Sequence, residues 1–277
     1  MFKILKKQEL AKDIFLMEVH APRVAESARP GQFVIVKVDE QGERIPLTIC
    51  DYDTQRGSVT IVVQVVGASS LKICSLGEGD AMDTFVGPLG CPSEFVHEHI
   101  EELKSKKILF VAGGVGTAPV YPQVKWLWEH GVKADVIVGA KSKDFVILED
   151  ELRAVSGELI IATDDGSYGF KGLVTDAMRN EIENRGKRYD LVISIGPMIM
   201  MKFVALATKT YGIKTVVSLN SLMVDGTGMC GACRVTVGGK TRFTCVEGPE
   251  FDGHEVDFDE AMRRQAQYRT IESRKAK

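Results

Sequence analysis

The sequence predicts a β barrel, then a parallel α/β domain, then a small cysteine-bearing unit, and three observations carry that prediction. Short apolar or alternating runs separated by Gly and Pro turns fill the first third of the chain. A strand, a glycine-rich turn, a helix and a second strand then follow within about thirty residues, the length of a βαβ unit. Near the C-terminal end, Cys230 and Cys233 stand two residues apart, and Cys245 follows after eleven more.

At 277 residues, 44% of them apolar, the chain is long enough for two cores. Its 35 basic and 38 acidic residues leave a net charge of -3, which gives no electrostatic footprint for nucleic acid. The first ten residues mix Lys with apolar side chains and hold no long apolar stretch, so neither a signal peptide nor a membrane span is read there. The expectation is a cytoplasmic protein.

In order along the chain, Ile14-Phe-Leu-Met-Glu-Val-His, Phe33-Val-Ile-Val-Lys-Val and Val59-Thr-Ile-Val-Val-Gln-Val-Val read as short strands. Their even spacing predicts an antiparallel barrel or sandwich over residues 1–98. The charged run Glu101-Glu-Leu-Lys-Ser-Lys-Lys reads as a solvated helix or linker into an α/β domain over residues 99–221. There, Ile108-Leu-Phe-Val-Ala and Ala134-Asp-Val-Ile-Val-Gly flank a helix that ends near His130. Strands at 158–162 and 190–195, with a helix at 172–183 between them, extend a parallel sheet. In the last unit, residues 222–277, Gly238-Gly239 marks the turn of a hairpin that returns Cys245 beside Cys233. The final stretch, 258–277, is charged without a clear apolar face and reads as a docking helix that frays into a tail.

The three cysteines read as a metal site. Two thiolates two residues apart can clasp one centre in a tight turn, and a third reaches it over a hairpin. Plant-type iron-sulfur sites space ligands as Cys-x4-Cys-x2-Cys, and the position five before Cys230 holds Asp225, whose carboxylate is a competent iron ligand. Gly226, Gly228 and Gly231 allow the loop its unusual backbone angles. A zinc site, which usually comes as two paired knuckles, fits the spacing less well; unliganded thiols and a disulfide are the remaining readings. Cys50, Cys74 and Cys91 lie singly in apolar contexts and read as small buried hydrophobes.

Upstream, Gly113-Gly-Val-Gly-Thr-Ala-Pro119 joins a strand to a helix, where glycines and free amides accommodate a pyrophosphate. Pro119 replaces the third glycine of the fingerprint, and the second strand lacks a terminal acid. Thr163-Asp-Asp-Gly-Ser-Tyr-Gly-Phe-Lys-Gly follows the third strand, where ligands sit in open sheets, or is simply a loop leading to a capped helix. Gly196-Pro-Met exposes backbone after a later strand. In the barrel, Arg44 offers a bidentate phosphate partner, although a lone arginine beside a turn is commonly a surface residue. The segment Val66-Gly-Ala-Ser-Ser-Leu71 offers amides and hydroxyls, or a helix cap.

Taken together, Arg44-x-Pro-Leu-Thr48, Gly67-Ala-Ser-Ser, Gly87-Pro-Leu-Gly90, Gly113-Gly-Val-Gly-Thr-Ala-Pro119 and Thr163-Asp-Asp-Gly-Ser resemble the ferredoxin-NADP reductase superfamily. With the cysteine loop, the chain resembles the electron-transfer subunits of class 1B dihydroorotate dehydrogenase. It resembles more closely the small subunits of the NADH-dependent ferredoxin:NADP oxidoreductase and sulfide dehydrogenase family. The resemblance covers nearly the whole chain and implies an antiparallel flavin-binding barrel, a parallel-sheet nicotinamide-binding domain and a small iron-sulfur domain. It places FAD on Arg44, Pro46, Leu47, Thr48, Gly67, Ala68, Ser69 and Ser70, with Thr48 at the reactive flavin edge. The nicotinamide dinucleotide falls to Gly114, Gly116, Thr117, Asp164, Asp165, Gly166, Gly196 and Pro197. A 2Fe-2S cluster falls to Asp225, Cys230, Cys233 and Cys245.

An aspartate at 225, where dihydroorotate-type subunits carry a fourth cysteine, resembles the flavin-bifurcating transhydrogenase. The implied function is an NAD(P)H-linked oxidoreductase subunit. It passes electrons between NAD(H), FAD and the cluster to or from a larger flavin and iron-sulfur partner, in a heterodimer or higher assembly, that serves ferredoxin. The resemblance favours NADH, while Lys141, Ser142 and Lys143 leave NADP(H) open. No catalytic acid or base is nominated, and neither nucleic acid nor membrane is expected as a partner. The alternatives are an electron-transfer subunit of dihydroorotate dehydrogenase and, in another class, a non-catalytic nucleotide-binding regulator with structural zinc.

Overall fold

The computed structural model describes residues 1–267. Its first sheet has seven strands: β1 (Phe2–Ala11), β2 (Ile14–His20), β3 (Phe33–Lys37), β4 (Ile45–Asp53), β5 (Ser58–Gln64), β6 (Ala81–Met82) and β7 (Thr84–Leu89). Helices α1 (Pro22–Ser27) and α2 (Ala68–Ser75) interrupt them. The order β6-β1-β2-β5-β4-β3-β7 is antiparallel throughout. Its two outer strands are consecutive in the chain, with Asp83 between them, so the sheet curls into a nearly closed barrel. Ile4, Met17, Val34, Val36, Ile61 and Phe85 fill the interior. Along β3, Val34 and Val36 point inward, which sends Phe33 and Ile35 to the outer face by the two-residue period of a strand.

The second sheet follows the short helix α3 (Ile100–Ser105). Strands β8 (Ile108–Gly113), β9 (Asp135–Ala140), β10 (Leu159–Thr163), β11 (Phe170–Lys171), β12 (Leu191–Ile195) and β13 (Lys214–Ser218) run parallel. Helices α4 (Thr117–Glu129), α5 (Glu149–Val155), α6 (Val174–Arg179) and α7 (Met198–Thr210) connect them. Because both faces are covered, β8 and β12 are buried along their whole length rather than alternating, β8 with no polar side chain and β12 with Ser194 alone. One face packs Val120, Val124 and Leu127 of α4, and the other packs α6 and α7. The order β11-β10-β9-β8-β12-β13 reverses at β8, the switch point where open α/β sheets bind ligands.

The remaining elements are the hairpin β14 (Arg234–Val237) and β15 (Lys240–Phe243), then α8 (Thr244–Glu247), β16 (Glu250–Asp252) and α9 (Phe258–Gln265). Strand β16 pairs antiparallel with β13, so the chain returns to complete the second sheet after its cysteine loop. Helix α9 corrects one expectation: Phe258 and Ala261 are buried, and with Met262 they form an apolar face packed against α7 and β14. The expected tail at 268–277 lies outside the described residues. Among the described residues, no helix is long and apolar enough to cross a membrane.

Barrel and sheet meet through α4. Lys125 donates to both carboxylate oxygens of Asp51, at 2.8 and 2.9 Å, which ties that helix to β4. Ala118 and Leu148 pack on Ile14, Cys50 and Val62 beneath this pair. Phe110 is wholly buried in β8, the strand on which both ligand turns depend. Phe110→Ala is expected to lower unfolding stability by about 3–5 kcal/mol, read as an earlier loss of second-sheet secondary structure in urea.

Candidate functional site

Four loops converge at the C-terminal ends of the parallel strands. Ala112 pairs with Ile195 and with Val138, and Ala140 with Thr163, so the turns after β8, β9, β10 and β12 open on one edge. The turn after β8 carries Gly114 at a φ of 55°. A side chain at Gly114 would meet open space, whereas a Cβ on Gly116 would lie 2.3 Å from the Ile195 carbonyl oxygen. The β8 and β12 turns thus touch backbone to backbone and leave a cradle above Gly114, the shape a pyrophosphate needs. Thr117 is buried, and its hydroxyl donates to the Gly114 carbonyl at 2.8 Å, so it holds the turn. Gly196 and Pro197 form the facing turn, with Pro197 at the start of α7.

After β10, Asp164, Asp165 and Gly166 lie exposed. Asp165 accepts from the Ser167 hydroxyl at 2.7 Å and amide at 2.9 Å, which hold its carboxyl below the usual range. The Asp165 amide donates to the Lys141 carbonyl, which seats this loop beside residues 141–143. The Lys143 ammonium lies over the Tyr168 ring, 5.3 Å from its centre.

On the barrel, register separates the expected flavin residues. Thr48 pairs with Phe33 and Pro46 with Ile35, so Pro46 and Thr48 share their outward face, while Leu47 packs on the barrel interior. Gly67 opens α2, with free space where a Cβ would stand. Beside it, the Ser70 hydroxyl accepts from the Val66 and Gly67 amides, at 2.9 and 3.0 Å, and caps the helix. Exposed Ala68 carries no polar side chain, and the Ser69 hydroxyl donates to Glu43. Arg44 donates from Nε to the Val224 carbonyl at 2.9 Å and from Nη2 to that of Asp225 at 3.2 Å. Its fork therefore binds the cysteine loop, with further N–H groups remaining for another ligand.

That loop rests on the outer face of the barrel. Gly226, Gly228 and Gly231 have φ of 78°, 86° and 67°, as expected of a loop that must turn its amides inward. A Cβ on Gly226 would approach Leu89 and Ile35 at 2.8 and 2.9 Å. Met223, Cys233 and Cys245 form one apolar cluster with Phe33 and Ile35; burying Met223 there contributes about 1.5–3 kcal/mol. The four candidate ligands stand as two pairs. Cys233 and Cys245 are buried with their sulfurs 3.3 Å apart. Asp225 accepts from the amides of Cys230, at 2.8 Å, and Thr227, at 2.7 Å.

Cys230 is exposed, its sulfur accepting from the Ala232 amide at 3.5 Å, and Cys233 accepts from the Cys245 amide at 3.4 Å. Amides aimed at sulfur are characteristic of iron-sulfur sites. Among the described residues, no three His, Cys, Asp or Glu side chains converge on the place of a single ion. Two pairs suit a binuclear cluster, which takes two protein ligands on each iron, better than they suit one zinc ion. The Thr227 amide holds Asp225 below the usual carboxylate range, so it is anionic. Burial, with Cys233 alongside, pushes Cys245 up to about 12, so any metal it ligates would have to displace its proton.

Cys50 and Cys74 are buried as expected, but Cys91 is exposed and reaches the Val246 carbonyl at 3.3 Å, because the loop after β7 faces the cysteine unit rather than the barrel core. Sequence reasoning also missed Gln123, Ser93 and Glu250, which join α4, the loop after β7 and β16. Their sole local trace is a polar Gln123 on the apolar face of α4.

Two family models match the chain: the iron-sulfur cluster binding domain of dihydroorotate dehydrogenase B over residues 220–257, and the oxidoreductase NAD-binding domain over residues 110–206. An uncharacterized protein of the adh 3' region of Clostridium beijerinckii is 61% identical over 99% of this chain and 93% of its own length. A dihydroorotate dehydrogenase B (NAD(+)) electron transfer subunit homolog of Thermotoga maritima is 47% identical over 98% of this chain and 92% of its own. A chain in the solved structure of the NADH-dependent reduced ferredoxin-NADP oxidoreductase, determined for insight into flavin-based electron bifurcation, superposes with a TM-score of 0.90. It is 45% identical, over 99% of this chain and 97% of that one.

The backbone contacts at the two glycines generate two tests. Gly116→Ala is expected to spread the β8 and β12 turns and weaken NADH binding at least about tenfold, measured by titration of the flavin-loaded protein. Gly226→Ala combines a strained φ with a clash against Ile35, and should halve or abolish iron retention while the flavin stays bound.

Proposed function

We propose that this chain, which belongs to the family of dihydroorotate dehydrogenase B electron transfer subunits and their homologues, is the electron-transfer subunit of an NADH-dependent ferredoxin-NADP oxidoreductase of the bifurcating kind. One observation carries the reading: Thr48 pairs directly with Phe33, and Phe33 packs in one cluster with Cys233 and Cys245. A flavin edge at Thr48 would thus stand one strand away from the cluster ligands. When bound, FAD converts hydride traffic from NADH into single electrons and the 2Fe-2S cluster carries them onward.

The chain's own residues bind and orient. Outward Pro46 and Thr48 offer the flavin a flat strand surface, and the open start of α2 at Gly67, Ala68, Ser69 and Ser70 accommodates its phosphates together with Arg44. Gly114, Gly116 and Thr117 shape the cradle for the dinucleotide pyrophosphate. Asp164, Asp165 and Gly166, with Gly196 and Pro197, border its ribose and nicotinamide ends. Asp225 with Cys230 would hold one iron, and Cys233 with Cys245 the other. These roles divide the chain into functional units at 1–98, 99–221 and 222–277. No side chain need exchange a proton with the hydride itself; the work is placement at contact distance. The larger flavin and iron-sulfur partner, with ferredoxin beyond it, would cover the rim of the cysteine loop. There Met229 is 89% exposed beside exposed Val224, Cys230 and Val246, an apolar collar of the kind that marks a docking surface.

Anaerobic purification is expected to give a brown protein with one flavin and about two irons per chain. NADH should bleach its flavin, while turnover with ferredoxin awaits the copurifying partner. A colourless, zinc-containing product would overturn the reading, and a partner that oxidises dihydroorotate would redirect it. Asp225→Cys should retain a cluster with a changed visible and paramagnetic spectrum; an unaltered spectrum would remove Asp225 from the ligand set.

A further inference from the structure

A carboxylate with no part in the relay sits where all three portions of the molecule meet. Glu250 begins β16, paired with Ser218 at the C-terminal end of β13, on the sheet face covered by α4. Its Oε1 accepts from the Ser93 hydroxyl, on the loop that follows the barrel, at 2.9 Å, and from Nε2 of Gln123 on α4 at 3.0 Å. A Cβ on Gly31, just ahead of β3, would lie 3.1 Å from the same oxygen. Gln123 is fully buried, and its own Oε1 has no hydrogen-bond partner, a costly state for a buried amide. The amide and the carboxyl are complementary if the carboxyl carries a proton: the amide N–H donates to one carboxyl oxygen, and the other donates back to Gln123 Oε1.

We propose that Glu250 and Gln123 share a proton that latches α4 to the barrel and to β16, making Glu250 a positioning residue for hydride delivery from the nicotinamide to the flavin. Helix α4 begins at the dinucleotide turn, and Gln123 lies six residues beyond Thr117, so the latch sets where that turn stands relative to Thr48. This rests on the flavin and nicotinamide sites proposed above. The electrostatic setting agrees. Although the residue keeps some exposed surface, its carboxyl is surrounded by protein, and this desolvation raises it from the ordinary 4.5 to about 7. Among the described residues it is the one carboxyl so displaced.

The charged neighbour that adds to this is Glu94, whose own carboxylate pairs with Lys214 of β13 at 2.8 Å. On the other sides, α4 presents neutral Gln123, the loop before β3 presents Gly31, and Asp252 of β16 is engaged by the His254 amide. A carboxyl raised on folding favours the folded state while protonated. That contribution is complete below the unfolded value and is lost as pH rises through about 7.

The test compares the flavin-loaded full chain with its E250Q variant, which keeps the shape but cannot titrate. In the native protein the limiting rate of flavin bleaching by NADH should fall at least about threefold from pH 6 to pH 8.5, with the NADH dissociation constant unchanged; in E250Q it should be flat. The thermal midpoint of E250Q should match the native one near pH 5 and exceed it by about 3 °C or more at pH 8.5. A protonated-carboxyl infrared band in the native protein should fade as pH rises through 7, which tests the latch without any variant. A pH profile that E250Q shares with the native protein, a pH-independent difference in midpoint, or no such band overturns the latch. If NADH fails to bleach the flavin at any pH, the proposed function falls, and the midpoints and infrared band alone decide the latch.

Discussion

The docking of the cysteine loop on the outer face of the barrel is the constraint on which the remaining geometry depends. It is a contact of backbone with side chain on both sides: Gly226 lies against Ile35 and Leu89, and the Arg44 fork grips the carbonyls of Val224 and Asp225. Either contact alone is modest. A charged hydrogen bond contributes about 1.5–3 kcal/mol, comparable to burying one methionine. Together with the apolar cluster of Phe33, Met223, Cys233 and Cys245 they leave the loop one seat. Because that seat adjoins Thr48 through a single strand pairing, the separation of the two proposed redox sites would be set by barrel register.

The same loop is stitched to the other half of the molecule. From α8, which carries Cys245, the chain runs on to join β16 to the edge of the parallel sheet. Lys125 meanwhile ties α4 to Asp51, three residues after Thr48 on the same strand. The barrel is therefore held to the sheet by two separate routes, one through α4 and one through the cysteine unit. Both routes pass close to the strand ends where the dinucleotide turns open. An enzyme that needs little chemistry from its side chains needs this placement in its place.

Much of the fold was legible in the sequence because each element repeats its own period. Short, largely apolar strands such as Ile14–His20 follow one another between Gly and Pro turns, whereas the fully buried run at β8 leads through a glycine turn into a helix, so barrel and parallel sheet could be told apart. The glycine turns were legible because close backbone approach leaves glycine few substitutes. Less legible were contacts between residues far apart in the chain. Nothing around Arg44 in sequence announces that it grips residues 180 positions away. Nothing near Glu250 announces Ser93 and Gln123 either, since a lone glutamate on a short strand reads as a solvated edge. The apolar face of α9 was obscured by its charge, because Phe258 and Ala261 are few among acidic and basic neighbours.

Asp225 shows how one residue can meet two demands that sequence spacing alone presents as rivals. As a loop residue it accepts the amides of Thr227 and Cys230, which fixes the turn before any metal arrives. In the proposed ligand role it would also present an oxygen to iron. A carboxylate has about four lone-pair sites, so two amide bonds leave capacity for a metal. The amide that lowers its proton affinity also keeps it anionic, as ligation requires. A cysteine in its place would supply a softer donor and one weakly accepting sulfur in place of two carboxylate oxygens, so the amides of Thr227 and Cys230 would share a single acceptor. The aspartate therefore shapes the loop, and in the proposed cluster the same carboxylate would complete the donor set.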